Sequence, residues 1–101
     1  MKGTACISAL KALGDETRLR ILRLLSKAAL NVNDISAKLE VSHYNVSKHL
    51  RILREAGLVE CARLGKERHY GIPAKLRAEL AASGSALDLG CCTFRFDQLP
   101  K

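Results

Sequence analysis

Residues 42–57 read S-H-Y-N-V-S-K-H-L-R-I-L-R-E-A-G, and the fold is decided there. Val46, Leu50, Leu53 and Gly57 fall at i, i+4, i+7 and i+11, the spacing that lines up one side of a 3.6-residue helix. Tyr44, Ser47, Lys48 and Arg51 recur at i, i+3, i+4 and i+7 on the opposite side. Ser42 suits an N-cap, because its hydroxyl can accept an otherwise orphan N–H two or three residues on. Gly57 suits the left-handed position that ends a helix. Such a helix buries one stripe and offers aromatic, hydroxyl, amide and cationic groups on the other. Those groups reach base edges and phosphates in a major groove. A plain solvated face reads equally well, since Lys and Arg are common on surface helices. The flanking sequence decides.

Upstream, Leu30-Asn31-Val32-Asn33-Asp34 restarts the chain, with Asn31 as N-cap and Asp34 three residues later imitating a capping box. Val32, Ile35 and Leu39 predict a short helix that ends near residue 40. Only Glu40-Val41 separates it from Ser42, and two helices joined by so brief a turn make a helix-turn-helix. Further back, residues 4–13 predict a first helix with Cys6, Leu10 and Leu13 on one face. Residues 16–27 predict a second, capped by Asp15 and mostly buried through Leu19, Ile21, Leu22, Leu24, Leu25 and Ala28. Its Arg20, Arg23 and Lys27 read as a solvated stripe.

Downstream of Gly57 the period changes from 3.6 to 2. Val59, Cys61 and Arg63 alternate with Glu60 and Ala62, and Arg68, Tyr70 and Ile72 alternate with His69 and Gly71. Leu64-Gly65-Lys66-Glu67 between them reads as a hairpin turn. Pro73 fits the first turn of a last helix, with Leu76, Leu80 and, beyond Gly84, Leu87 as its apolar side. The predicted fold is mainly α with a small β-hairpin, a winged helix-turn-helix. Residues 1–90 would form the DNA-binding and dimerisation domain, and residues 91–101 a cysteine-containing tail without periodicity.

At 101 residues the chain is of single-domain size, and its modest core makes a dimer sharing apolar helices an expectation. Seventeen basic residues against ten acidic give a net charge of +7, which points to a polyanionic partner. Nine of the basic and four of the acidic residues lie between Lys38 and Arg77, so the charge concentrates on the central helix and the hairpin. No apolar run approaches the roughly 18 residues of a membrane span. Met1-Lys2-Gly3 is not followed by a signal-peptide core, so a cytoplasmic location without membrane association is expected. There, Cys6, Cys61, Cys91 and Cys92 are expected as thiols rather than structural disulfides. No glycine-rich phosphate loop, Ser-His-Asp set or paired carboxylates suggest an enzyme or an enzymatic cofactor.

With these motifs in place the chain resembles the arsenic-repressor (ArsR/SmtB) family of dimeric winged-helix regulators. The resemblance rests on A-L-G-D-E-T-R-L-R-I-L-R-L-L at residues 12–25, V-S-H-Y-N-V-S-K-H-L-R-I-L-R-E-A-G-L-V at 41–59, and the wing at 63–70. It implies a homodimer built on the first and last helices, double-stranded DNA with a palindromic operator as partner, and repression relieved by an inducer. It implies that His43, Tyr44, Asn45 and Ser47 face bases, that Lys48 and Arg51 hold phosphates or guanine edges, and that Arg63, Lys66 and Arg68 reach the flanking groove.

The family's sensing sites are where the chain departs. The arsenic-type C-x-C-x-x-C positions of the third helix are here Asn31, Asn33 and Ser36, and no histidine follows His69 to build the zinc-type site of the last helix. Cys91 and Cys92 are left as candidates. Consecutive Cα atoms lie about 3.8 Å apart, below the roughly 4.4 Å floor of a relaxed disulfide. Two vicinal thiolates can instead turn onto one soft ion. Inert tail cysteines are the plain alternative. Trivalent arsenic or antimony wants a third sulfur, and Cys6 is the candidate, because the family packs the first helix beside the last. Cys61 reads as a small buried hydrophobe. The expected function is a repressor released by As(III) or Sb(III) bound to Cys6, Cys91 and Cys92. The alternatives are a redox or persulfide sensor, for instance through a Cys6–Cys92 disulfide, and a winged helix used only for protein interaction.

Overall fold

Helix α4 (His43–Glu55) forms where the pattern of residues 42–57 predicts it, in a computed structural model that describes residues 4–100. Met1-Lys2-Gly3 and Lys101 lie outside the described residues. The Ser42 hydroxyl accepts the Asn45 N–H at 3.2 Å, and Val46, Leu50 and Leu53 are buried. At the far end Gly57 takes a φ of +78°. Its N–H donates to the Arg54 carbonyl and that of Leu58 to the Leu53 carbonyl, each at 3.0 Å, the paired bonds of a Schellman cap.

Helix α3 (Val32–Leu39) starts where the Asn31 side chain accepts the Asp34 N–H at 2.8 Å. It ends on Glu40, a non-glycine residue at φ 56°, and the Ser36 hydroxyl donates to the Val41 carbonyl at 2.6 Å. That left-handed residue reverses the chain quickly enough for α4 to begin at His43. Helix α2 (Glu16–Leu25) is capped by Asp15 and buries Ile21, Leu22 and Leu25 against α3 and α4. It stops short of the expected Lys27 because the chain turns at Ser26, whose hydroxyl donates to the Arg23 carbonyl at 2.6 Å. Ala28, expected inside, is exposed.

Helix α1 (Thr4–Leu13) buries Cys6, Ala9, Ala12 and Leu13. Leu10, expected on that face, is 41% exposed beside Ile7 at 55%. Cys6, Ala9, Ala12 and Leu13 fill the inner side, and Ile7 and Leu10 point outward. Strands β1 (Glu60–Leu64) and β2 (Glu67–Gly71) pair antiparallel through a Gly65-Lys66 loop, with Gly65 at φ 65°, where a II′ hairpin turn wants glycine. Leu30 and Tyr70 exchange both backbone hydrogen bonds, at 2.8 and 2.9 Å, which fastens this wing to the segment ahead of α3.

The C-terminal third departs from expectation. Helix α5 (Ala74–Ala82) ends before Gly84, so Leu87 does not lie on it. Gly84 and Ser85, at φ 68° and 72°, turn the chain into strand β3 (Ala86–Asp88). This strand pairs with β4 (Thr93–Arg95), and a 3-10 turn, Phe96–Gln98, follows. Leu87, Leu89, Phe96 and Leu99 are buried, Phe94 meets Phe96 edge to face at 6.1 Å, and an Arg23 guanidinium nitrogen donates to the Leu99 carbonyl at 3.0 Å. The division into a domain of residues 1–90 and a tail is therefore corrected: the segment after residue 90 completes the core. Strands of three residues are too short for alternation to show in sequence, and the apolar residues here lie at irregular spacing.

Two substitutions test this core. Leu50→Ala should cost roughly 2–5 kcal/mol and Phe96→Ala roughly 3–5 kcal/mol, through lost transfer energy and the cavity left behind. Urea unfolding measures both. A Phe96→Ala midpoint equal to wild type would mean that the segment after Gly90 hangs free.

Candidate nucleic-acid interface and thiol cluster

The buried stripe of α4 fixes which way its other face points. His43, Tyr44, Asn45, Ser47, Lys48 and Arg51 are all exposed. Tyr44 is 78% exposed, a large ring that packing in this chain does not hold. Lys48 has no ion-pair partner among the described residues. Arg51 lies 3.8 Å from Glu55 one turn on, with both side chains about three-quarters exposed, a pair that contributes little and yields readily to a phosphate.

The wing adds Arg63, Lys66 and Arg68, all exposed. Strand register makes Arg63 and Arg68 direct partners across the hairpin. Like charges placed opposite each other destabilise a sheet, so this pairing favours an anion between or beside them. The pairing is a feature that the sequence reading missed, although counting outward from a two-residue loop at Gly65-Lys66 would have found it. Glu67 does not neutralise the pair by default. Its carboxylate takes His69 Nε2 at 3.0 Å and the Asn31 amide at 3.3 Å, and these partners, His69 first, hold it below the usual carboxylate range.

A second missed feature sits behind the interface. Arg18 donates through Nε to the Ala12 carbonyl at 2.6 Å and through another nitrogen to the Lys11 carbonyl at 3.2 Å, closing the end of α1. Its remaining terminal nitrogen lies 3.2 Å from His49 Nδ1 on α4. A guanidinium can only donate, so Nδ1 accepts and His49 is neutral with its proton on Nε2. Burial, above all, lowers the His49 pKa; Asp15 at 3.9 Å raises it, while Arg18 and Lys48 lower it further.

Of the expected thiol ligands, the structure unites Cys6 and Cys91 in a disulfide, with Cα atoms 6.4 Å apart. Cys6, expected as a thiol or, in the redox alternative, bridged to Cys92, meets Cys91 in this structure. Cys92 is exposed and free, and Cys61, expected to be buried, is only half-buried. The adjacent cysteines sit in the β3–β4 loop, closed by the Leu89 N–H donating to the Cys92 carbonyl at 2.9 Å. In this state no group of three His, Cys, Asp or Glu side chains among the described residues could hold a metal ion.

Three helices, a short turn and a basic two-stranded wing define a winged helix-turn-helix protein. Residues 15–60 match the family described as "Bacterial regulatory protein, arsR family". Over 65 residues the chain is 45% identical to the arsenical resistance operon repressor of Escherichia coli K12, covering 63% of this chain and 56% of that one. Over 61 residues it is 41% identical to the transcriptional repressor SmtB homolog of Synechocystis, covering 60% of this chain and 46% of the relative. The chain thus spans about half the length of these curated relatives. A solved homodimeric winged helix-turn-helix DNA-binding domain from Mycobacterium bovis superposes with a TM-score of 0.70 at 32% identity, covering 77% of this chain and 72% of that one. The chain belongs to the arsR family of bacterial regulatory proteins, and the relatives named here regulate transcription rather than catalyse reactions. No helix among the described residues is long and apolar enough to cross a membrane.

Lys48→Ala and Arg68→Ala should each weaken binding to every duplex and reduce the slope of log K against log salt by about 0.9. Arg68→Ala should do so without lowering the melting temperature, because it removes a like-charge pair; a destabilised wing would contradict the reading of that register. The neutral His49 gives a pH test. With its folded pKa below the ordinary 6.5, its contribution to stability is complete above 6.5 and is lost as pH falls from there through the lowered value. His49→Asn, which keeps an acceptor for Arg18 but cannot titrate, should flatten the thermal stability profile below pH 6.5.

Proposed function

We propose that the chain is a cytoplasmic, homodimeric transcriptional repressor that binds a palindromic operator and is released from it by a thiophilic metalloid, arsenite or antimonite. The observation that carries the DNA reading is the Arg63–Arg68 opposition on the wing, together with an α4 polar face that none of the described residues covers. His43, Tyr44, Asn45 and Ser47 read bases, while Lys48, Arg51, Arg63, Lys66 and Arg68 hold the backbone. One copy carries one recognition helix, so a palindrome needs two copies. Ile7 and Leu10 on α1, with half-buried Leu76 on α5, supply apolar surface for the pairing.

The inducer site rests on Cys6 and Cys91, which lie 85 positions apart in sequence and meet within one chain, with Cys92 next along. In the reduced protein, trivalent arsenic hydroxide condenses with three thiols to give three As–S bonds and three waters. The Arg18 contacts support transmission, since α1 carries Cys6 and its last carbonyls share a guanidinium with His49 of α4. A change at Cys6 that shifts α1 would tilt or shift α4, and half-sites roughly 34–36 Å apart tolerate little of that.

The Cys6–Cys91 bond itself favours a second reading, in which oxidation is the signal. There two thiols give two electrons and two protons to a peroxide, which leaves as water and an alcohol or a second water. Anisotropy on an operator duplex, with and without arsenite under a non-thiol reductant, separates the readings. Arsenite should lower wild-type affinity by about 5- to 150-fold. Cys91→Ser and Cys92→Ser should each abolish that loss, and Cys61→Ser should leave it. A protein that ignores arsenite but releases DNA on peroxide, with Cys92→Ser still responsive and Cys6→Ser silent, would replace the metalloid by the redox signal.

A further inference from the structure

A cavity of about 480 Å³ lies where the end of α2 meets α5 and the C-terminal β-unit, away from the thiols and the recognition helix. Its volume is that of a small-molecule site. Ile72 and Phe96, both buried, and Leu80 give it an apolar floor. Arg23, Lys27 and Arg77 supply three positive charges at its walls. Lys27 and Arg77 form no ion pair among the described residues. Arg23 uses one terminal nitrogen on the Leu99 carbonyl.

The one carboxylate among the described lining residues, Asp97, does not neutralise them. Both of its oxygens are taken by Arg95, at 2.6 and 3.0 Å, and Arg95 keeps it below its usual range. Ser85 lines the cavity from a left-handed backbone, φ 72°, that a serine rarely adopts, although the preceding residue is a glycine. Strained residues of this kind gather at ligand sites. Three cations over an apolar floor, with the only acid among the described lining residues already occupied, form an incomplete electrostatic arrangement.

We propose that this cavity binds a small organic anion with an apolar body, an aryl or short-chain carboxylate or phosphate monoester. The apolar part lies on Ile72, Leu80 and Phe96, and the charged head faces Lys27 and Arg77, with Ser85 as a donor. No thiol lines the site among the described residues, and it gives the regulator a second, organic effector. Its walls are formed by the same segment that carries Cys91, so occupancy and thiol state would influence each other.

The test is a titration of the ¹⁵N-labelled full chain, followed by amide shifts, with phenyl phosphate and benzoate as probes. Inorganic phosphate and benzyl alcohol serve as head-only and body-only controls. Saturable shifts should be confined to residues around Ser26, Lys27, Arg77, Ser85 and Phe96, and the tighter probe names the head group. Each control should bind at least about tenfold more weakly, and Lys27→Ala and Arg77→Ala should each weaken the tighter probe by roughly tenfold, or about 1.4 kcal/mol. Cys91→Ser protein should still bind the probe, which keeps this result separate from the fate of the thiol reading. Shifts that fail to saturate, that spread over α4 and the wing, or that survive unchanged in folded Lys27→Ala and Arg77→Ala protein would overturn the proposal.

Discussion

Arg18 ties together the parts on which everything else depends. Its guanidinium takes two carbonyls at the end of α1 and one ring nitrogen on α4, while its own backbone N–H is held by the Asp15 cap of α2. Orphan carbonyls at a helix end need partners, and a charged donor supplies stronger bonds than a neutral one. One side chain thereby sets the relation of three helices. The buried stripe of Val46, Leu50 and Leu53 then fixes the rotation of α4 about its axis, and with it the direction of Tyr44, Lys48 and Arg51.

This arrangement makes α1 the shared element of the molecule. Its inner face carries Cys6, its outer face carries Ile7 and Leu10, and its end reaches α4 through Arg18. A chemical event at Cys6, a partner against Ile7 and Leu10, and the pose of the recognition helix all act on one short helix. Coupling between such sites needs an element that each of them biases, and α1 meets that requirement physically.

The helix-turn-helix and the wing were legible in sequence because each rests on a local signal. Caps at Ser42 and Asn31, glycines at 57 and 65, and a change of period after Gly57 all act over a few residues. The exposed surface of α4 followed from the same periodicity that buried its core face. The last third was not legible. Its two strands are three residues each, and what folds it back is the burial of Leu87, Leu89, Phe96 and Leu99 against distant helices. The pairing of Cys6 with Cys91 followed the same logic: the residues could be named, but the partner depended on where the unrecognised β3–β4 loop lands. Leu10 was misplaced because periodicity marks apolar residues without showing which apolar face meets the core and which awaits another chain.

The central claim is that α4 and the wing read a specific DNA duplex through two copies of the chain. Selection of bound duplexes from a random pool, followed by sequencing, tests it with no operator sequence assumed. The account predicts convergence on an inverted repeat whose half-site centres lie about one helical turn, or a whole multiple of it, apart. A pool that stays random, or that converges on a single unrepeated site, would contradict it.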